Sequence, residues 1–541
     1  MGSSQRIYPL VLVAVACVGL LCSTSSTSAQ EAAIFRLGTR LVEVDVVVRD
    51  KNGPVKGLSK DDFGLLDCKA SERNLDRPFA PCKGKRQALE MFREMDAAAP
   101  QGAAPALTKG TEPAPMSLGP GAVSNRVDNA GKALTTATVV VFDQLNTPFE
   151  LKGYERTEIA KLVQTVGDKN RIALYALGKD LHILQDFTDD PQKLIHAVTK
   201  LDSGDQLNVA AIDAADPEVD PLEKLVADDM KRDAALAAIK KIIQHMAGVP
   251  GRKNLVWMAG GFDALFNPQF QRPEARILLG QANIAVYPVM VRSLQDAGIP
   301  INARYTRGRP VAPAHINDFN TQIRNRELGE SLGGFGFDDA ADALKAVQTA
   351  EEDANNYYVL GFYPADEDLD GGTHQLVLNI SKRVAARPDL VLQYRQVYLA
   401  SKPSSAIAED TPTVEELFGS PLNATAIGLA ANVVADRAKP GGRLVQVTIR
   451  LADLQLRHDK GRSIGSFQMV VKFEKSEAGV VTASPPVVQT VPINFTDAQL
   501  QEYGVLTQAV PLGQKFSAAH IVVQDGTNGA AGSLRVPIPD K

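Results

Sequence analysis

The pattern of apolar and polar positions changes character along the chain. Residues 40–67 alternate apolar and polar side chains and turn at Asn52-Gly53, which predicts a small antiparallel β-domain, assigned to residues 30–96. Residues 97–135 are rich in Ala, Pro and Gly, with too few large apolar side chains to form a core, which predicts a flexible linker or loop. From 136 to 355, short apolar strands alternate with amphipathic helices, as in a doubly wound parallel sheet.

A period of two returns after residue 355. The strand-like runs of residues 356–400 follow without a linker, and two or three strands alone are marginal in water. We therefore expect them to complete the N-terminal β-sandwich, which makes residues 136–355 an insertion. A second linker at 401–419 precedes residues 420–541, whose strands and turns predict a C-terminal β-sandwich. The predicted fold class is α/β plus β, with a doubly wound domain framed by β-sandwich modules.

The N-terminus has the charged, apolar and small-residue order of a secretory signal peptide. Arg6 precedes an apolar run from Ile7 to Cys22, and Thr27-Ser-Ala29 predicts cleavage between Ala29 and Gln30. The alternative is a retained membrane anchor, although the run is shorter than the roughly 20 residues needed to span a bilayer. We expect a secreted or periplasmic protein with no integral membrane segment after cleavage.

Charge and cysteine content narrow the classes of partner. A net charge of -5 gives no basic patch for nucleic acid and no polybasic run for an anionic membrane. Of the four cysteines, two leave with the signal peptide, and Cys68 and Cys82 remain in a chain bound for an oxidising compartment. We expect these two to form one structural disulfide, since they lack the C-x-x-C spacing of a zinc site.

The strand that opens the doubly wound domain ends on polar residues. It reads Thr136-Ala-Thr-Val-Val-Val-Phe-Asp143, followed by Gln-Leu-Asn-Thr147. Such an apolar run is typical of the middle of a parallel sheet, and open α/β sheets bind ligands where these strands end. Asp143 is therefore the first candidate for a ligand or metal site.

Several motifs together resemble one protein family. They are the strand exit at 140–147, the segment Ala247-Gly-Val-Pro-Gly-Arg-Lys-Asn-Leu-Val-Trp-Met-Ala-Gly-Gly-Phe262, the turn Gly333-Gly-Phe-Gly-Phe337 and the strand Tyr357-Tyr-Val-Leu-Gly-Phe-Tyr-Pro364. In this order they are similar to the acidobacterial von Willebrand factor A-related domain proteins. The match spans roughly residues 38–400 and implies a secreted protein that binds other proteins.

The resemblance also implies a magnesium site. Von Willebrand A domains usually hold Mg²⁺ with an Asp-x-Ser-x-Ser motif, a Thr from a second loop and an Asp from a third, since Mg²⁺ prefers hard oxygen ligands. Here the first motif reads Asp143-Gln-Leu145-Asn-Thr147, and Gly260 stands where the third-loop Asp is expected. Asp263 could substitute only if its loop bent back.

Two interpretations of this edge stay open. Asp143 and Thr147 either cap the strand end or the following helix, or they form with Asn146 a water-rich Mg²⁺ site that binds weakly. Thr188 and Ser203 are second-loop candidates. In either case, we expect a protein partner to contact the surrounding loops. The residues expected to contribute are Gln144, Asn146, Phe149 and Phe262.

One enzymatic alternative has a sequence motif. Gly461-Arg-Ser463-Ile-Gly465 matches the nucleophile-elbow string of serine hydrolases, and Asp497 and His520 follow in a plausible order. However, a strand-like run, Phe467–Phe473, follows where a hydrolase has a helix, so a hairpin turn is the competing interpretation. The sequence favours a non-enzymatic adhesion or interaction protein, with a Ser463 hydrolase as the alternative.

Overall fold

The computed structural model divides the chain into Met1–Gly38 and Thr39–Lys541, and the described residues all belong to the second unit. The described ranges are 41–69, 84–96, 122–126, 136–166, 171–202, 221–249, 251–262, 274–291, 305–306, 309–310, 325–400, 411–477, 480–513 and 516–539. The predicted signal peptide, Cys82, Ser203 and Asp263 lie outside them, and only the backbone of Phe149 is described.

The N-terminal described residues form short antiparallel strands. These are β1 (Val42–Asp50), β2 (Gly53–Pro54), β3 (Phe63–Lys69), β4 (Lys85–Gln87) and β5 (Met91–Asp96), with a 3-10 turn at Lys60–Asp62 before β3. Asp50 pairs with Gly53 across the first turn, and Gly53 has a φ of 112°, a conformation that glycine adopts without a Cβ clash. The Asn52-Gly53 dipeptide thus makes the hairpin that it predicts.

A five-stranded, mostly parallel sheet forms the centre of the chain. The strands of this part are β6 (Val123–Ser124), β7 (Thr136–Asp143), β8 (Ile172–Leu177), β9 (Leu181–Thr188), β10 (Arg252–Ala259), β11 (Ile284–Met290), β12 (Tyr305–Thr306) and β13 (Arg309–Pro310). The sheet order is β11-β10-β7-β8-β9, with β9 antiparallel to β8 at the edge. Its β7 is central, as its unbroken apolar run predicts.

Helices cover both faces of this sheet. They are α1 (Phe149–Thr165), α2 (Pro191–Asp202), α3 (Pro221–Met246), α4 (Glu274–Gln281) and α5 (Ala343–Asn355), with a 3-10 turn at Ala340–Asp342 and further helical residues at 325–331. Ile242 of α3 shares a core with Val139 and Trp257 on one face. Leu162 of α1 shares a second core with Val140 on the other. Alternate residues of β7 therefore face opposite layers.

The chain then returns to the N-terminal strands. The elements are β14 (Asn356–Phe362), β15 (Thr373–Ile380), α6 (Lys382–Ala385), β16 (Val391–Tyr394) and β17 (Val397–Leu399). Strand β1 lies between β14 and β16, and β14 also pairs with β5. Strand β15 pairs with β3 in a second sheet. Both sheets contribute to one core that contains Val46, Leu65 and Leu376.

Antiparallel strands form the C-terminal part. Its elements are α7 (Val414–Gly419), β18 (Leu429–Ala435), β19 (Arg443–Arg450), a 3-10 turn at Leu451–Asp453, β20 (Arg457–Asp459), β21 (Arg462–Glu477), β22 (Val480–Ala483), β23 (Val487–Thr496), α8 (Asp497–Tyr503), β24 (Val505–Leu512), β25 (Ala518–Asp525) and β26 (Ala531–Pro537). One sheet has the order β24-β19-β18-β6, and the other joins β20 to β26 through β21 and β25. Val447 and Phe467 meet in their common core.

Two expected linkers contain ordered structure. Val123–Ser124 pairs with β18, and the Asn125 amide donates to the carbonyls of Ala424 and Ile427 at 2.7 and 2.8 Å. Helix α7 begins with a capping box between Thr413 and Glu416. Secondary structure is therefore present inside both segments assigned as linkers, because composition gives no sign of pairing with a segment some 300 positions away.

Candidate functional site

The candidate site lies where β7 and β10 end side by side. The chain leaves β7 toward β8 on one side, whereas β10 and β11 lie on the other, so this is the point where the strand order reverses. Open α/β sheets bind their ligands at such a point. The residues present there are Asp143, at the end of β7, the turn 144–148 and Gly260, just after β10.

The Asp143 carboxylate is buried and surrounded by donors. Its Oδ1 accepts from the backbone N–H groups of Leu145 and Asn146 at 3.1 and 2.9 Å. Its Oδ2 accepts from Asn146 Nδ2 at 2.8 Å and from Trp257 Nε1 at 3.0 Å. Burial raises the pKa of Asp143, and these four donors oppose that rise. The carboxylate therefore closes the turn after β7.

A second buried carboxyl group, Glu155, lies beside Asp143. It projects from α1, is 0% exposed and accepts a hydrogen bond from the Gln144 side chain. Burial, reinforced by the neighbouring Asp143, raises the pKa of Glu155 to about 8. Glu155 is not among the residues predicted from the sequence, because a glutamate in an amphipathic helix is ordinarily a solvated residue. Its only sequence signal is its place in the helix that follows the Asp143 turn.

Thr147 and Gly260 explain why the third loop carries no carboxylate. The Thr147 hydroxyl accepts from the Gly260 N–H at 3.1 Å. A Cβ added at Gly260 would lie 2.4 Å from Pro148 Cδ and 2.9 Å from the Asn146 carbonyl oxygen. Any side chain there would displace the turn. The close approach of the two loops leaves no room at position 260 for the aspartate that the resemblance implies.

These residues do not fit a resident Mg²⁺. Asp143, Asn146 and Thr147 do come together, but each is engaged in hydrogen bonds within the turn or to Gly260. A cation would have to displace donors from Asp143 and remove the proton that Glu155 retains at neutral pH. Within the described ranges, no group of three His, Cys, Asp or Glu side chains is arranged to hold a metal ion.

Thr188, one of the two second-loop candidates, is not placed to bind a metal ion at Asp143. Thr188 pairs with Ile172, at the amino end of β8, whereas Asp143 pairs with Leu177 at its carboxyl end. Five residues of extended strand separate the two levels by about 17 Å. Thr188 instead accepts a hydrogen bond from the Asp190 N–H at 3.1 Å, before α2. It is therefore excluded as a ligand, while Ser203 and Asp263 lie outside the described residues.

The expected partner-binding residues are less exposed than anticipated. Gln144 is 5% exposed and bonded to Glu155, and Phe262 is 9% exposed and packs in a core beneath the sheet. The structure thus corrects both assignments, since neither side chain is presented to a partner. The side chain of Phe149 is not described. The accessible positions at this edge are Leu145, Asn146, Pro148, Lys179, Asp180 and Gly261.

Ser463 does not lie in a nucleophile elbow. It belongs to β21, pairs with His458 of β20 across a tight turn, and is 0% exposed. The His458 ring nitrogens lie 3.3 and 3.4 Å from Ser463 Oγ. The expected partner His520 pairs with Lys472, nine residues further along β21 and about 30 Å away. Because a nucleophile must reach its substrate, this geometry opposes a Ser463 hydrolase.

Cys68 lies in β3 and is 7% exposed. It is disulfide-bonded, and Cys82 falls outside the described residues. The pairing of these two cysteines therefore stays a prediction.

No protein-family model and no curated protein matches the chain. Several solved structures show partial likeness. A von Willebrand domain of the type V pili tip protein Mfa5 from Porphyromonas gingivalis is 17% identical over 24% of this chain and 39% of that one, with a TM-score of 0.16. An aerotolerance-related membrane protein from Bacteroides fragilis is 16% identical over 40% and 99%, with a TM-score of 0.24. A von Willebrand factor type A protein from Catenulispora acidiphila is 11% identical over 75% and 66%, with a TM-score of 0.18.

These likenesses are too slight to assign a fold or a function to the chain. This chain spans about two fifths of the Mfa5 domain structure. Among the described residues, none of the helices has the length and apolar character needed to cross a membrane.

Proposed function

We propose that the chain is a secreted or periplasmic, non-enzymatic protein that binds a protein partner. In this proposal, residues 136–355 form a von Willebrand A-like domain. Residues 30–96 and 356–400 form one β-sandwich module around it, and residues 420–541 form another. The partner contacts the carboxyl edge of the parallel sheet. Recognition there depends little on a divalent metal.

The observation that supports this most is the set of four donors on Asp143. A carboxylate so fully satisfied contributes rigidity to a loop surface and has no free lone pair for catalysis or for tight coordination of a cation. The edge then offers a fixed turn with Leu145, Asn146 and Pro148 at its surface, beside the exposed tip of the β8–β9 hairpin. Rigid loops on a sheet scaffold are common binding surfaces.

Calorimetric titration with Mg²⁺ and Mn²⁺ tests the metal part of the proposal. We expect only weak binding to the wild type, and the same weak binding to Asp143→Ala and to the matched control Asp180→Ala, which alters an exposed carboxylate nearby. Tight, stoichiometric binding that Asp143→Ala abolishes and Asp180→Ala retains would show a working metal site and overturn this part.

Capture of extracytoplasmic proteins from the source culture tests the partner part. Lys179→Glu reverses a charge at the exposed hairpin tip, and Leu145→Arg alters the turn itself. Each should weaken capture of a specific partner about tenfold, equivalent to losing one interfacial contact. Lys439→Glu, on an exposed turn of the C-terminal part, is the control and should bind as the wild type does. Equal capture by all three variants would place the binding surface elsewhere.

A further inference from the structure

A cavity of about 510 Å³ lies at the opposite edge of the parallel sheet from Asp143. One wall is the outer face of the β1-β14-β5 sheet, which carries Asp45, Arg93 and Val359. The other wall is formed where β10 and β11 begin, with Lys253 and Asn283. Its volume is in the range of small-molecule sites. Exposed residues such as Glu43 line it, so it opens to solvent.

The charged side chains that line this cavity differ in how they are hydrogen-bonded to the rest of the protein. Arg395 donates to the carbonyl oxygens of Gly280, at 2.6 Å, and of Glu43. Asp45, 6% exposed, accepts from Asn283 Nδ2 at 2.8 Å. These groups are held by the protein itself.

Two cations in the same cavity are not held in this way. In the described part of the chain, the guanidinium of Arg93 donates to the Met91 sulfur, at 3.6 Å, and its Nε is buried without an acceptor. Among the described residues, Lys253 has no carboxylate at salt-bridge distance, and burial lowers its pKa despite the field of Asp45. Both side chains are half-buried. A cation partly withdrawn from water without a partner is costly, and a bound anion would offset that cost.

Part of the remaining lining is apolar, beside polar side chains such as Gln281 and Tyr357. The apolar residues of the lining include Met95, Val249, Val359, Leu41 and Leu399. A free inorganic ion would leave this surface wet, whereas an anion with a hydrocarbon body would cover it.

We propose that this cavity binds an organic carboxylate with an apolar body, and that Arg93 and Lys253 pair with the carboxylate. Guanidinium groups bind carboxylates through parallel N–H donors, and an ammonium adds a point charge. The site is distinct from the carboxyl-edge surface, so its test is independent of the proposed partner binding.

Calorimetric and thermal-shift titration with octanoate tests the proposal, with octanol and acetate as probes that lack the charge and the body. Octanoate should bind and raise the unfolding temperature, whereas each comparison probe should bind at least about tenfold more weakly. Arg93→Met and Lys253→Met should each weaken octanoate binding about tenfold, the loss expected for one charge-assisted hydrogen bond. Arg437→Met and Lys193→Met, at exposed positions, are the matched controls and should leave binding unchanged.

Two further measurements guard against variants that fail to fold. Lys253→Arg keeps the charge and should retain octanoate binding. In the wild type, octanoate should protect Lys253 from an amine-selective acylating reagent, read by peptide mass spectrometry, and should not protect Lys193. Failure of octanoate to bind the folded wild type, equal binding of octanol, or unchanged binding in both Met variants would overturn the proposal.

Discussion

Trp257, the only tryptophan of the chain, donates its indole N–H to the buried Asp143 carboxylate at 3.0 Å. This bond joins the carboxyl ends of β10 and β7, the two strands between which the order of the sheet reverses. The Asp143 carboxylate therefore accepts hydrogen bonds both from the backbone of the turn after β7 and from a buried indole N–H. The relationship also provides a fluorescence reporter at the candidate site.

We expect Asp143→Ala to destabilise the protein by about 2–4 kcal/mol, because the change leaves several buried donors without an acceptor. Urea unfolding followed by Trp257 fluorescence measures this, and the native emission should shift as the indole loses its partner. Asp180→Ala, on the neighbouring exposed tip, should stay within about 0.5 kcal/mol of the wild type. If Asp143→Ala also left the free energy of unfolding within about 0.5 kcal/mol of the wild type, the hydrogen bonds of the turn would contribute no net stability.

A second prediction concerns Glu155. Its pKa is raised from 4.5 to about 8 in the folded protein, so the folded state binds more protons than the unfolded state between those values. Stability should therefore fall as pH rises through this window, with a slope approaching about 1.4 kcal/mol per pH unit from this group. Chemical denaturation at several pH values measures the slope.

Glu155→Gln is the matched variant, since it keeps the shape and the hydrogen bonding of the side chain but cannot ionise. The difference in free energy of unfolding between the variant and the wild type should grow in favour of the variant from pH 5 toward pH 8. Other buried acids, such as Asp45, titrate in both proteins and cancel in this difference. Parallel pH profiles for the two proteins would refute the assignment.

The third prediction concerns His245, at the end of α3. Its Nδ1 lies 2.8 Å from the Asn423 carbonyl oxygen and its Nε2 lies 3.0 Å from Asp186 Oδ1, so both nitrogens face acceptors. An imidazolium satisfies both acceptors, because it donates from both nitrogens. Burial alone would lower the pKa of His245, but the Asp186 carboxylate outweighs it and the pKa is raised above 6.5.

A raised pKa in the folded state contributes stability that is fully present below pH 6.5 and is lost as pH rises through the folded pKa. Asp186→Asn should therefore destabilise the protein more at pH 6 than at pH 9, and it should lower the His245 pKa measured by NMR titration. His196→Gln, which alters an exposed histidine on α2, is the control and should leave the His245 titration unchanged. An unchanged His245 titration in Asp186→Asn would exclude the ion pair as the cause.

The central strands could be predicted from the sequence because a run of consecutive apolar residues marks each of them. The apolar run before Asp143 and the run before Gly260 each mark a buried strand, and the structure has β7 and β10 there. The pattern also indicated Asp143 as a residue at a strand end. Strand β18 was not predicted, since its Ala-rich start differs little from the preceding segment.

The chemistry of the candidate site depended on contacts that sequence spacing does not encode. Glu155 is buried only because α1 folds back over the Asp143 turn, and Gln144 points inward to meet it. Gly260 could be recognised as a departure from the family motif, but the reason for it is the approach of Pro148, which belongs to another loop. These contacts join separate segments of the chain, so they can be identified only in the folded structure.

The last prediction concerns Gly248, where the C-terminal part docks on the end of α3. The Gly248 N–H donates to Thr425 Oγ1 at 2.8 Å, and Arg126 donates to the Gly248 carbonyl. A Cβ at Gly248 would lie 2.0 Å from the Thr425 carbonyl oxygen, which is backbone and cannot rotate away. Gly248→Ala should therefore push the Thr425 segment away from the end of α3 and lower the free energy of unfolding by about 1–3 kcal/mol.

Gly153→Ala is the matched control, because Gly153 lies inside α1 with nothing within 4 Å of its Cβ position. There the same substitution should stabilise the protein by roughly 0.5–1 kcal/mol, as expected when an exposed helix position gains a better helix former. Differential scanning calorimetry and limited proteolysis distinguish the two outcomes. Gly248→Ala should lower the unfolding temperature and expose residues 420–428 to cleavage, whereas Gly153→Ala should do neither. A stabilising Gly248→Ala would show that the contact with Thr425 does not constrain the docking.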